Sequence, residues 1–284
     1  MEALYRPAVI RRLLSEHGLR PSKAMGQHFL ADGNTVQRIV EIADVGPGDR
    51  IVEIGPGLGA LTQGLLERGA YVAAIEKDAG LVRVLTELFS GHPRLVLLHA
   101  DALRVDPAGV FPGEWPAGTP RKVVANLPYY ITSQLLLRIL ESNPPFERAV
   151  VMVQREVAQR LVAPPGSKEY GALTVSVAYR AHVELAAKIP PTVFIPPPSV
   201  ASEVVVLKPR PCPYDVGDPG CFLRVVRAAF GKRRKTLANA LKELGLGAGE
   251  VARALEDCGI DPARRGETLT LAEFASLSGA LSRR

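Results

Sequence analysis

The chain has 284 residues, 47% of them hydrophobic, and a formal net charge of +6 from 35 Lys and Arg against 29 Asp and Glu. That apolar content suits one full α/β domain with a small appendage and excludes global disorder. Cys212, Cys221 and Cys258 form no CxxC pair, the five histidines are scattered, and no stretch approaches the ~18 uninterrupted apolar residues of a membrane span, which argues against a disulfide framework, a metal site and a membrane protein.

The first thirty residues are basic, with Arg6, Arg11, Arg12, Arg20 and Lys23 against Glu2 and Glu16. They lack the apolar core of a signal peptide, so a cytoplasmic protein with reduced thiols is expected. From about residue 36 the pattern alternates between helix and strand. Ile51–Ile54, Val72–Ile75, Leu95–His99, Val123–Ala125 and Ala149–Val153 are short apolar runs, and helical periodicity separates them, as in Leu81, Val84, Leu85 and Leu88. Buried strands separated by helices predict a Rossmann-like, doubly wound, mostly parallel sheet. Val183–Ile189 and Glu203–Leu207 read as two further strands forming an antiparallel, hairpin-like edge, with a Pro-rich stretch between them.

Lys208–Gly220 has the composition of a linker. This sets expected boundaries of 1–208 for an α/β domain and 209–284 for a small all-helical domain. The expected helices in the latter are Phe222–Leu244, Ala248–Gly259 and Leu271–Leu281, the last opened by a capping box of Thr270 and Glu273. The stretch Phe222–Lys242 carries Arg224, Arg227, Lys232, Arg233, Arg234, Lys235 and Lys242 and no acidic residue. Its apolar positions can face a core. The basic groups are then left for a phosphate backbone, and RNA binding is expected there.

The first sharp motif runs from Val52 to Thr62: a strand, then Gly55, Gly57 and Gly59, then a helix. Such glycines let the backbone pass close to a ligand, at a helix N-terminus that offers free N–H groups. Glu76, at the end of the next strand, can accept both hydroxyls of an adenosine ribose. The same spacing also satisfies the dinucleotide fingerprint. Two features favour S-adenosylmethionine over NAD. Asp101, followed by Ala102 after the third strand, can accept from an adenine amine, and about fifty residues precede the glycine loop.

The fourth strand runs into Asn126-Leu127-Pro128-Tyr129, beside the glycine loop in an open α/β sheet. Adenine N6 is a poor nucleophile because its lone pair is delocalised into the ring. The Asn126 amide oxygen and a backbone carbonyl near Leu127 can accept the two N6 protons and favour a pyramidal nitrogen. Tyr129 supplies a face for stacking. Phe194, in a loop stiffened by Pro196, Pro197 and Pro198, is expected to clamp the base from the opposite side.

With these residues in place the chain closely resembles the KsgA-type small-subunit rRNA adenine dimethyltransferases. Lys23–Leu30, Glu53–Thr62, Glu76, Asp101, Asn126–Tyr129, Gln154–Leu161, Phe194–Ser202 and Lys232–Leu237 resemble that family's motifs in order. The resemblance implies a class I methyltransferase fold with a seven-stranded sheet. It implies contacts to S-adenosylmethionine from His28, Leu30, Gly55, Glu76, Asp101 and Asn126, with Gly57 and Ala102 beside them. Position 28 is often Asn in the family. It further implies dimethylation of two adjacent adenosines in the 3′-terminal hairpin loop of 16S rRNA, late in assembly of the small subunit, by an enzyme expected to be monomeric. The erythromycin-resistance methyltransferases, which modify 23S rRNA, share the glycine loop and the Asn-Leu-Pro-Tyr motif. The Lys232–Leu237 block and the Phe194–Ser202 loop favour the small-subunit enzyme. A small-subunit assembly factor in which catalysis is secondary would use the same basic domain.

Overall fold

The computed structural model describes residues 2–22, 25–113, 115, 118–232 and 235–283. The chain divides into two compact units, Met1–Ala158 with Val183–Pro209, and Gln159–His182 with Arg210–Arg284.

The first unit opens with α1 (Pro7–Glu16), which buries Val9, Ile10, Leu13 and Leu14, followed by the short strand β1 (Phe29–Leu30). Asp32 caps α2 (Gly33–Ile42) by accepting from the Thr35 amide, and Val36, Ile39 and Val40 recur at helical spacing on its buried face. Then come β2 (Arg50–Ile54), α3 (Ala60–Glu67), β3 (Tyr71–Glu76), α4 (Ala79–Leu88) and β4 (Leu95–His99). The series continues through β5 (Arg121–Asn126), α5 (Thr132–Leu140) and β6 (Arg148–Gln154), leaves the first unit within α6 (Arg155–Leu161) for α7 (Ala172–Ala178) of the second, and returns within β7 (Ala181–Ile189) to β8 (Phe194–Ile195) and β9 (Ser202–Pro209).

Seven strands form one sheet in the order β4-β3-β2-β5-β6-β9-β7. The first five run parallel, and β9 is antiparallel to β6, with Gln154 opposite Ser202 and Ala149 opposite Leu207. Central strands covered on both faces must be apolar throughout, and β2, β3, β5 and β6 are buried along nearly their whole length. As expected, β7 and β9 are neighbours at one edge of the sheet, with the later strand β9 on the inside. Val204, Val205, Val206 and Leu207 are all buried, whereas β7 exposes His182, Glu184, Leu185 and Lys188, as an edge strand tolerates.

A separate two-stranded ladder pairs β1 with β8 antiparallel, Phe29 opposite Ile195 and Leu30 opposite Phe194. It joins the N-terminal segment to the Pro-rich loop, and neither strand showed a strand period in sequence. The basic N-terminal stretch is therefore an integral part of the unit: Leu4 is buried and its amide donates to Gln63 Oε1 at 2.9 Å.

The second unit gathers Tyr170 and Val175 with residues of the C-terminal helices, among them Phe222, Val225, Leu255 and Phe274, in one apolar cluster. The expected boundary near residue 208 is thus only one of three chain crossings between the units, because Gln159–His182 packs with the C-terminal helices. Tyr170 donates its hydroxyl to the Leu269 carbonyl at 2.6 Å. The helices there, besides α7, are α8 (Pro219–Gly231), α9 (Leu237–Ala240), α10 (Ala248–Asp257) and α11 (Leu271–Ser282). The single helix expected over Phe222–Leu244 is broken after Gly231. Glycine is a poor helix former, Lys232 leaves helical geometry at φ −131° and ψ 83°, and the Leu237 amide donates to the Arg264 carbonyl at 2.7 Å. The Thr270–Glu273 capping box is present, and Arg264 holds the Glu273 carboxyl down at about 2. No helix among the described residues is long and apolar enough to cross a membrane.

Candidate functional site

The site lies at the C-terminal ends of β2, β3 and β5, where a parallel sheet leaves its loops free to converge. After β2 the chain passes through Gly55, Gly57 and Gly59, all in left-handed backbone conformation, before α3 begins. Gly59, at φ +86°, needs that freedom most: an added Cβ would lie 2.8 Å from the Phe89 ring and 3.0 Å from Leu85.

Glu76 ends β3 and is almost fully buried. Its Oε1 accepts from the Lys77 and Asp78 amides at 2.8 and 2.9 Å, and its Oε2 accepts from the Gly57 amide at 3.2 Å. Burial raises its pKa, against the pull of those three hydrogen bonds. A cleft joins Glu76 to Gly55 and Gly57, to His28 and to Asn126–Tyr129; an adjoining hollow adds Leu30. Asp101 and Ala102 stand beside this cleft, not in its wall. Asp101 accepts from Lys77 Nζ at 2.9 Å and from the Leu103 amide at 3.0 Å, and its carboxyl is held below the usual range, chiefly by the lysine.

Asn126 closes β5. Its Nδ2 donates to the His28 carbonyl at 3.2 Å, while Oδ1 is buried with no hydrogen-bond partner. A buried amide oxygen left unpaired is costly unless a ligand completes it. Tyr129 follows with its hydroxyl 2.6 Å from Ser202 Oγ and its ring stacked on His28 at 5.7 Å between centroids. Burial pushes that phenol above its ordinary pKa. His28 Nδ1 lies 2.7 Å from the Pro196 carbonyl, the acceptor that places the ring proton on Nδ1. Leu127 is buried and donates its amide to the Met152 carbonyl at 3.1 Å, and the Pro128 carbonyl accepts from Thr132 Oγ1 at 3.0 Å.

Phe194 departs from expectation. The clamp on an open loop is instead a core residue, 2% exposed, held by the β1–β8 ladder within the apolar cluster that includes Phe29 and Leu30. The proline-rich sequence suggested an isolated stiff loop, and the two-residue ladder that buries the ring has no sequence period to reveal it.

The basic segment also differs. Arg224 and Arg227 project from α8 into solvent, but Lys232 Nζ is 2.6 Å from Glu243 Oε1 and Arg224 lies 4.0 Å from Asp218. Both acids lie just outside the stretch that carries no acidic residue. Lys235 is exposed; Arg233 and Arg234 fall outside the described residues.

Sequence reading missed Lys77, Tyr130 and Gln27, all in the cleft wall, and the buried Glu53 behind it. Lys77 and Tyr130 adjoin recognised motif residues, which was the available signal. Gln27 donates to Asp78 Oδ2 at 2.9 Å, a contact across 51 residues that no local pattern announces. Glu53 accepts from Thr62 Oγ1 at 2.6 Å, its Oε1 has no partner, and burial pushes its pKa up to about 8. The folded protein therefore keeps a proton on Glu53 that the unfolded chain releases above about 4.5. Its contribution to stability is full below pH 4.5 and is lost as pH rises towards 8. Chemical denaturation across that window should show stability falling by up to about 1.4 kcal/mol per pH unit from this group, and Glu53→Gln should flatten the slope. An identical slope in the variant would assign the proton elsewhere.

Among the described residues, no group of three His, Cys, Asp or Glu side chains is placed to hold a metal ion. The residues fit S-adenosylmethionine: a glycine cradle, a buried carboxylate at the strand end for ribose hydroxyls, and a second carboxylate beside it for an adenine amine.

Comparison with known proteins agrees with this chemistry. The family model described as ribosomal RNA adenine dimethylase matches residues 19–282. The ribosomal RNA small subunit methyltransferase A of Moorella thermoacetica is 48% identical over 286 residues, covering 99% of each chain. That of Halothermothrix orenii is 45% identical over 279 residues, covering 97% of this chain and 93% of its own. Among solved structures, a dimethyladenosine transferase from Plasmodium falciparum superposes with a TM-score of 0.72 at 25% identity, covering 88% of this chain and 96% of the other. The 23S rRNA methyltransferase ErmE gives 0.63 at 27% identity, covering 89% and 99%.

Proposed function

The chain belongs to the ribosomal RNA adenine dimethylase family, and from that premise we propose that it dimethylates N6 of two adjacent adenosines in the 3′-terminal hairpin loop of 16S rRNA. We propose that it acts as a cytoplasmic monomer on the small ribosomal subunit or its precursor. It is an S-adenosylmethionine-dependent methyltransferase. The cofactor supplies an electrophilic methyl group. The observation that carries the reading is Asn126 Oδ1, a buried acceptor without a partner at the end of β5, beside the glycine cradle and the Tyr129 wall.

An exocyclic amine entering that cleft would donate one proton to Asn126 Oδ1 and the other to a neighbouring backbone carbonyl, turning its lone pair out of the ring plane. The rigid hold on Asn126 and Tyr129, through His28 and Ser202, favours this by orientation, and alignment supplies much of a methyl transfer's rate. No strong base is needed, since the methylated amine is acidic enough to lose its proton to water. An unpaired loop base is also the least costly to extrude.

His28, Leu30, Gly55, Gly57, Glu76, Asp101, Ala102 and Asn126 are the residues proposed to hold the cofactor. The exposed Arg224, Arg227 and Lys235 are proposed to meet the rRNA backbone, with smaller weight on Lys232 because Glu243 neutralises it. The large-subunit alternative is tested directly. Purified enzyme with radiolabelled S-adenosylmethionine should label small-subunit particles lacking the modification, and digestion should yield N6,N6-dimethyladenosine. Label confined to 23S rRNA would overturn the substrate, and no labelled adenine would overturn the reaction.

Glu76→Ala should weaken cofactor binding by about 10- to 150-fold, because ribose hydroxyls lose a charged acceptor typically worth ~1.5–3 kcal/mol. Calorimetry reads this directly, and an unchanged affinity would remove Glu76 from the site.

A further inference from the structure

Two consecutive tyrosines follow Leu127-Pro128, and the structure treats them differently. Tyr129 is committed: its ring is stacked on His28 and its hydroxyl is bound to Ser202. Tyr130 is 53% exposed, more than any other large apolar side chain among the described residues, and its side chain makes no hydrogen bond or ring contact with them. A single exposed tyrosine is ordinary. This one lines the same cleft as Asn126 and Tyr129, at the rim where Lys77 also stands.

Lys77 is exposed and lines the same cleft as Tyr130, with its Nζ on Asp101 Oδ2. Lys77 is paired with Asp101 at 2.9 Å but half exposed, so a phosphate arriving at the rim can share its ammonium. An exposed aromatic face beside a solvent-facing cation is how proteins hold single-stranded nucleic acid: the ring takes a base and the cation takes the backbone.

We propose that Tyr130, with Lys77 on the same cleft wall, is a stacking platform for a nucleotide adjacent to the target adenosine. This rests on the reading of the cleft as an RNA methylation site. A base extruded into the cleft leaves its neighbour unstacked, and a second aromatic face one residue away offers that neighbour a place. Tyr130 is then a positioning residue for RNA, distinct from the residues that hold the cofactor.

The full-length enzyme should be titrated with a single-stranded hexaribonucleotide containing two adjacent adenosines, with 2-aminopurine placed on either side in separate probes. Base stacking on an aromatic ring is worth ~1–3 kcal/mol, so Tyr130→Ala should weaken binding by about 5- to 150-fold. It should also abolish the 2-aminopurine fluorescence change at one flanking position. Tyr130→Phe should retain both properties and Tyr130→Leu neither. On small-subunit particles, Tyr130→Ala should raise KM with kcat changed less than about threefold, as removal of uniform binding requires.

Rescue by leucine equal to that by phenylalanine would overturn the platform, and so would a parallel loss of cofactor affinity in calorimetry. Unchanged binding and fluorescence in Tyr130→Ala, with the wild type still methylating small-subunit particles, would remove the platform and leave the proposed function standing. A wild type that neither binds nor methylates RNA would overturn both.

Discussion

Asn126→Ala is expected to lower turnover by roughly 10²–10³-fold, the usual loss when one preorganised polar group facing the reacting atoms is removed. Asn126 Nδ2 is fixed on the His28 carbonyl, so Oδ1 is aimed and cannot swing away to solvent. Its hydrogen bond to an adenine amine strengthens as the nitrogen pyramidalises, so its loss falls mainly on the transition state. RNA affinity should change much less than kcat, because Tyr129 and the basic groups remain. Asn126→Asp would keep an acceptor but introduce a charge behind the glycine loop, near Glu76, and should not restore full rate. Single-turnover methylation and a separate binding titration decide the matter. Equal losses in binding and turnover would assign Asn126 a structural role at the junction of β5 with the N-terminal segment.

A second large effect is expected far from the chemistry. At the opposite end of the sheet, Lys122 Nζ is buried, lies 2.8 Å from Asp49 Oδ2 and also donates to the Asp44 carbonyl. Asp49 Oδ2 accepts in addition from the Gly46 amide at 2.9 Å. The cluster ties the turn before β2 to β5. Lys122→Met should destabilise the fold by about 3–5 kcal/mol, because it leaves the Asp49 carboxylate buried without its cation. The double variant Lys122→Met/Asp49→Asn should recover a large part of that loss, since no unpaired charge remains. Denaturant midpoints at neutral pH measure both. A loss below about 1 kcal/mol in the single variant would show the pair to be no stronger than a surface ion pair. Cofactor affinity of the folded fraction should be unaffected, because the site lies at the other end of the strands.

Much of the candidate site was legible because its chemistry is carried by contiguous motifs. Gly55–Gly59, Glu76, Asp101 and Asn126–Tyr129 each end a strand of a parallel sheet, and that topology alone brings strand ends together. Phe194 shows the opposite case. Its aromatic character and flanking prolines were visible, but its burial depends on Leu30, more than 160 residues earlier in the chain. The basic C-terminal stretch is similar: its charges could be counted, but the acids that meet Lys232 and Arg224 lie beyond its ends. Gln159–His182 could not be assigned to the second unit from local pattern, because its affinity is for the apolar faces of helices that follow much later.

Local sequence was enough to show the strand-and-helix alternation, the parallel core, the glycine cradle, the carboxylates at strand ends and the Asn-Leu-Pro-Tyr motif. Each of these depends on residue type and short-range periodicity. Tertiary packing alone sets β9 between β6 and β7, pairs β1 with β8 to bury Phe194, encloses Glu53, and pins Tyr129 while leaving Tyr130 exposed. These outcomes depend on which distant groups share a volume from which water is excluded. Burial and pairing of that kind are properties of the packed chain and are not carried by any one segment of it.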